Sequence, residues 1–276
     1  MSTAPPTSRD VTSLRDEARS SERDDRGTTC DLTVVVPAFN EAGRLPTTLP
    51  VLLDRLSRGD ARSVEVLVVD DGSRDGTAAI AAAADPPVGV VVHVLVHDRN
   101  RGKGAAVRTG FAASRGRRVL VSDADLATPI DELSTLEAHA DDDRIVIGSR
   151  AVDRTFVVSP QPWYRDLMGR IFNLCVRALA VPGVHDTQCG FKLYPGPIAR
   201  ALATTQRIDG FAYDVEHLVV ARSWGCDILE VPVRWRHVEA SRVHPVRHSA
   251  QMLWSLLGLA WRRATGGLPG RPEGLV

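Results

Sequence analysis

Between residues 32 and 150 the chain alternates two hydrophobic rhythms. Stretches with a largely apolar centre stand at 32–36, 64–70, 88–96, 117–123 and 144–150. A run without polar alternation marks a strand covered on both faces. Between these runs the pattern is helical, over about 41–58, 75–84, 102–115 and 130–140. Buried strands alternating with helices predict an α/β fold with a mostly parallel sheet, and such sheets bind ligands beyond the carboxyl ends of their strands. Past residue 150 the rhythm loosens into helices over about 164–180, 195–204 and 213–223 and a strand over 227–235.

The ends differ in composition. Residues 1–30 hold five Arg and six acids and hardly a large aliphatic, too little to offset the entropy of ordering, and are expected to be disordered. One domain is predicted over 31–235. Residues 236–264 form a basic, amphipathic segment, and the Gly- and Pro-rich 265–276 reads as a disordered tail. From 234 to 263 there are six Arg (234, 236, 242, 247, 262, 263) and one acid, Glu239. Over the whole chain 34 basic side chains balance 34 acidic ones, so no net field points to nucleic acid. Four scattered cysteines without a C-x-x-C suggest neither a zinc site nor a disulfide framework. There is no signal-peptide pattern and no run of roughly 18 apolar residues that would span a bilayer, so a soluble or peripheral protein is expected.

The strand ends carry the candidate chemistry. In VPAFNEAGRL the first strand stops at Pro37, and Asn40 and Glu41 stand where a helix begins. VVDDGSRDGT closes the second with Asp70 and Asp71. Helix capping accounts for Asp75 but not for that pair, and an acid just past a strand can accept hydrogen bonds from a base or ribose. NRGKGAAVRTG is not a Walker loop, because Gly104 follows Lys103 where Ser or Thr is required. It remains a glycine-rich helix start suited to a diphosphate. SDADLATP closes the fourth strand with Asp123 and Asp125. Two carboxylates one residue apart past a buried strand need a cation, and hard oxygens suit Mg²⁺ or Mn²⁺ completed by water and phosphate.

In this order and spacing, VVVPAFNEAGRL, VVDDGSRDGT, NRGKGAAVRTG, SDADLATP and GSR resemble the inverting glycosyltransferases of family 2, whose GT-A fold is a Rossmann-like, mostly parallel sheet flanked by helices. DTQCGFKLY, YDVEHL, EVPVRW and SRVHPVRHSAQML narrow the resemblance to the polyprenyl (dolichyl) phosphate β-glucosyltransferases, over residues 31–263. Relatives that make dolichyl-phosphate mannose read D-A-D-L-Q-H-P; Ala127 and Thr128 here look like the glucose branch, whereas Leu126 departs from the small residue of that branch.

The resemblance implies that Pro37, Asn40, Glu41 and Asp70 line the nucleotide and that Asp71 meets the base. It puts Lys103 near the diphosphate, Asp125 on the metal as main ligand, and Asp123 on the ribose or sugar side of the same metal. The implied acceptor, a polyprenyl phosphate, is already ionised at neutral pH, so no strong general base is needed. Cations must hold it against the donor phosphates: Arg150, Lys192, Arg234, Arg236 and Arg242 are the candidates, with Arg150 the best placed. Asp186, counted with Asp123, Asp125 and Arg150 as catalytic, either orients sugar hydroxyls or neutralises a buried Arg, as does Glu216. The stretch 252–263, MLWSLLGLAWRR, either packs on the core or lies among lipid headgroups with Trp254 and Trp261 at the interface. The expected activity is glucosyl transfer from UDP-glucose to polyprenyl phosphate by a peripheral enzyme on the cytoplasmic face of a membrane. The alternatives are mannosyl transfer from GDP-mannose, transfer to another acceptor, or an inactive nucleotide-sugar binder.

Overall fold

The computed structural model describes residues 30–58, 62–152, 155, 157–159, 181–236 and 245–275. The segment 1–29, the helix expected over 164–180 and Arg242 lie outside the described residues. The apolar runs become β1 (Cys30–Ala38), β2 (Val64–Asp70), β3 (Val90–Val96), β4 (Gly116–Val121) and β5 (Arg144–Ser149). Further along come β6 (Val157–Ser159), β7 (Lys192–Pro195), β8 (Asp227–Pro232) and β9 (Trp235–Arg236). Seven of them form one sheet in the order β3-β2-β1-β4-β7-β5-β8, in which β7 runs antiparallel to both neighbours and the other pairings are parallel. β6 and β9 pair separately.

The helices are α1 (Leu45–Ser57), α2 (Thr77–Ala82), α3 (Lys103–Ala113), α4 (Leu133–Glu137), α5 (Gly196–Thr205), α6 (Tyr213–Ser223) and α7 (Pro245–Ala264). α1 shows why: Leu45, Leu49, Leu52, Leu53 and Leu56 recur at helical spacing and are all buried. At the sheet centre Val34, Val66, Leu120 and Ile147 are fully buried, as apolar strand centres require.

From β1 the chain crosses to β2 on one side, and from β3 it crosses back over to β4 on the other. Right-handed crossovers in opposite directions put α1 and α3 on opposite faces, which opens a crevice past the carboxyl ends of β1 and β4. The loops 37–44 and 122–128 border that crevice.

Two expectations change. The strand over 227–235 divides, because Pro232 ends the β8 ladder; the chain restarts as β9, whose Arg236 N–H donates to Ala127 O at 3.0 Å. Residues 265–275 are not a loose tail. Trp224 Nε1–H donates to Pro269 O at 2.9 Å, and Arg271 Nη1 donates to Trp224 O at 2.7 Å. Composition pointed to disorder, but one buried indole and one guanidinium pin the segment.

Candidate active site

Past β4 the chain makes a tight turn: Leu126 N–H donates to Asp123 O at 3.1 Å, Ala127 N–H to Asp125 Oδ1 at 3.0 Å, and Leu126 takes φ 48°. That turn holds both carboxylates at the crevice. Lys103 Nζ donates to Asp123 Oδ1 at 2.6 Å. Burial would depress the Lys103 pKa, but Asp123 and Asp214 outweigh it and hold it above the usual value. Burial and the charge of Asp123 push the Asp125 carboxyl up. On the far side lies Gly190 of the CGFK stretch, where any Cβ would overlap the Asp123 carboxylate. A side chain at 190 would have to displace that carboxylate.

The acids at the end of β2 hold the turn that follows it. Asp71 is buried; it accepts N–H groups of Arg101 at 2.9 Å and Gly102 at 2.8 Å, and its Oδ1 lies 2.7 Å from His97 Nδ1. His97 Nε2 in turn lies 2.9 Å from Thr109 Oγ1. Through these bonds Asp71 shapes the turn before α3 at the carboxyl end of β2, the edge at which a base contact is expected of it. Asp70 is buried too and accepts from Ser73 N at 3.0 Å and from its hydroxyl. Asn40 (φ 54°) accepts Arg74 N–H at 2.9 Å, and Glu41 pairs with Arg44 at 2.8 Å. Pro37 lies near the end of β1, paired in register with Val69. These residues border the crevice from the β1 side.

On the β5 side Arg150 is clamped by Asp186: Nε and Nη2 each donate at 2.7 Å, and the backbone N–H at 2.9 Å. Asp186 raises the Arg150 pKa despite burial, and Arg150 in return holds the Asp186 carboxyl below its usual value despite burial. Asp186 thus neutralises and positions Arg150, the second of the two roles expected for it. The guanidinium lies 5.4 Å from the Trp235 ring centroid, and the charge of Asp123 reaches it. Asp186 is fixed from behind, since Glu230 accepts the N–H groups of His185 and Asp186, each at 2.7 Å.

Lys192 is corrected as an acceptor residue. It is 1% exposed, ion-paired to Asp214, and donates to Cys189 O at 2.5 Å. A buried, paired ammonium cannot receive a phosphate. Arg234 pairs with Glu132, and Arg236 is exposed beside Ala127. Glu216 neutralises an Arg, the second of the two roles expected for it: it accepts N–H groups of Arg207 at 3.0 Å and Ile208 at 2.8 Å, and Arg262 Nη2 at 2.6 Å. The residues missed from sequence are Asp214 and His97. Asp214 stood two positions from the acid that was singled out in YDVEHL, and nothing local marked it as the partner of Lys192.

Asp123 and Asp125 fit a divalent cation. They offer hard oxygens at an edge where the Asp123 side chain is 36% exposed, and a cation would relieve the electrostatic penalty on Asp125. Among the described residues no cluster of three His, Cys, Asp or Glu forms a closed cage, as suits an ion that keeps water and phosphate in its other positions.

Residues 33–194 match the sequence model of glycosyl transferase family 2. A dolichyl-phosphate beta-glucosyltransferase of Drosophila melanogaster is 37% identical over 255 residues, covering 85% of this chain and 78% of its own. One from Homo sapiens is 36% identical over 250 residues, covering 86% and 77%. The crystal structure of mannosyl-3-phosphoglycerate synthase from Rubrobacter xylanophilus superposes with a TM-score of 0.57 at 20% identity, covering 95% of this chain and 82% of that one, which identifies the GT-A architecture. From its profile match, its relatives and its strand-end carboxylates, the chain belongs to glycosyl transferase family 2 and is a glycosyltransferase.

Proposed function

We propose that this chain transfers glucose from UDP-glucose to a polyprenyl (dolichyl-type) phosphate, with inversion, at a membrane surface. The observation that carries the reading is one crevice edge with Asp123, Asp125, Lys103 and the clamped Arg150, in a chain 36–37% identical to dolichyl-phosphate beta-glucosyltransferases.

Asp123 and Asp125 would hold Mg²⁺ or Mn²⁺, which supplies positive charge for the leaving nucleoside diphosphate. Lys103, at the head of α3, adds a second charge there. Arg150 spends Nε and Nη2 on Asp186, which leaves Nη1 for an acceptor oxygen and fixes its approach. An ionised phosphate needs no proton removed, which suits a crevice whose carboxylates are committed to a cation or to structure. One in-line displacement turns an α-linked donor into a β-linked lipid phosphate sugar.

α7 supports the membrane reading. It has no acidic residue, and no described helix is long and apolar enough to cross a bilayer. Leu253, Trp254, Leu257 and Trp261 are exposed along it. An apolar stripe with interfacial Trp and basic neighbours suits a helix lying in the headgroup layer.

Radiolabelled UDP-glucose or GDP-mannose, given to the purified protein with polyprenyl phosphate and Mg²⁺, tests the reading. Label is expected in lipid from UDP-glucose, and Asp125→Ala is expected to abolish it while the protein stays folded. Label from GDP-mannose alone would overturn the choice of sugar, and full turnover by Asp125→Ala would overturn the metal role.

A further inference from the structure

The function proposed above assigns Lys103 to the diphosphate, yet in this structure its ammonium is already engaged. Nζ donates to Asp123 Oδ1 at 2.6 Å, with side chains 23% and 36% exposed. We propose that Lys103 is the resident counter-ion of Asp123, and that it yields this carboxylate to a divalent cation only when a nucleoside diphosphate draws the ammonium away. The inference rests on the metal and nucleotide assignments of that reading.

The backbone beneath Lys103 cannot shift to make this exchange. Gly102 has φ 110°, and a Cβ there would overlap Asp209 O; Ala105 N–H is bound to Asp209 O at 3.1 Å. Asp71 holds Gly102 N–H from the other side. Exchange must then happen by rotation about the side-chain bonds, which a four-carbon stem permits. Asp123 is confined as well, with the Gly190 backbone against its carboxylate. A cation seeking Asp123 meets an ammonium on one of its two oxygens, and one ammonium cannot serve Asp123 and a diphosphate in full. Nucleotide binding therefore strips Asp123 of its partner as it delivers phosphate oxygens, and cation affinity rises from both causes.

Removing the ammonium should move two affinities in opposite directions. Mn²⁺ binding, followed by the electron paramagnetic resonance of the free ion, and UDP binding, followed by calorimetry, are measured separately and together. Wild type is expected to bind Mn²⁺ weakly alone and more tightly with UDP. Lys103→Met is expected to bind Mn²⁺ alone about three- to tenfold more tightly, which is about 0.7–1.4 kcal/mol, and UDP alone more weakly. Lys103→Gln should repeat both shifts as a second neutral variant, and Lys103→Arg, which keeps the charge, should leave Mn²⁺ binding near wild type. Mn²⁺ binding by the folded neutral variants no tighter than wild type, or weakening of both ligands together, would overturn the handover and leave the metal site standing. A wild type that takes up no Mn²⁺ even with UDP would overturn the metal assignment, and the handover with it.

Discussion

His217 lies in the core against Phe111 and Tyr213, each with ring centroids 5.3 Å away. Its Nε2–H donates to Gln206 Oε1 at 2.8 Å, and its buried Nδ1 has no partner. Burial, with Lys192 nearby, depresses the pKa from 6.5 to about 3. The unfolded chain thus takes up a proton that the folded one refuses. Stability from this group is complete above pH 6.5 and is lost as pH falls from there towards about 3, with a slope approaching about 1.4 kcal/mol per pH unit. His217→Phe should flatten the thermal midpoint against pH across that window; a curve parallel to wild type would exonerate His217. The sequence around His217 carries no hint of this, because the shift comes from groups brought in by the fold. Asp71 and Lys192 likewise meet their partners only in the fold. Residue type and strand-end position were legible, but which neighbour neutralises which charge depends on pairs such as Lys192 with Asp214, 22 positions apart.

At the scale of elements, α7 is fastened on one side and bare on the other. Leu256 and Leu259 are buried, whereas Trp254 is 76% and Trp261 71% exposed. The double variant Trp254→Ala, Trp261→Ala should therefore fold normally and bind anionic lipid vesicles roughly tenfold more weakly by co-sedimentation. Undiminished binding would show that the stripe is not the docking face. Periodicity marked this helix, and it marked β1 to β5 within a few residues, because largely apolar runs and helical spacing are local signals. The division of β8 from β9 was signalled by Pro232, a residue that cannot donate to a ladder, whereas the anchoring of 265–275 was not legible, since it is decided by a distant partner, Trp224.

For the molecule as a whole, a ligand that binds only the folded state raises its unfolding temperature by mass action. UDP-glucose with Mn²⁺ at about a hundredfold over its dissociation constant should stabilise the protein by about 2.7 kcal/mol, and GDP-mannose by less. An equal or larger shift with GDP-mannose would contradict the choice of donor. The order of strand-end motifs was readable because a parallel sheet brings the ends of successive strands to one edge; the antiparallel entry of β7 between β4 and β5, which sets Gly190 against Asp123, was not. One carboxylate ties the two ends of the molecule's work together. Glu216 grips Arg262 of α7 with one oxygen and the amides of Arg207 and Ile208 with the other, and Asp209 holds the head of α3 beneath Lys103. The helix that would rest on lipid and the turn that would cradle the nucleotide are thus both anchored on the one short stretch 207–209.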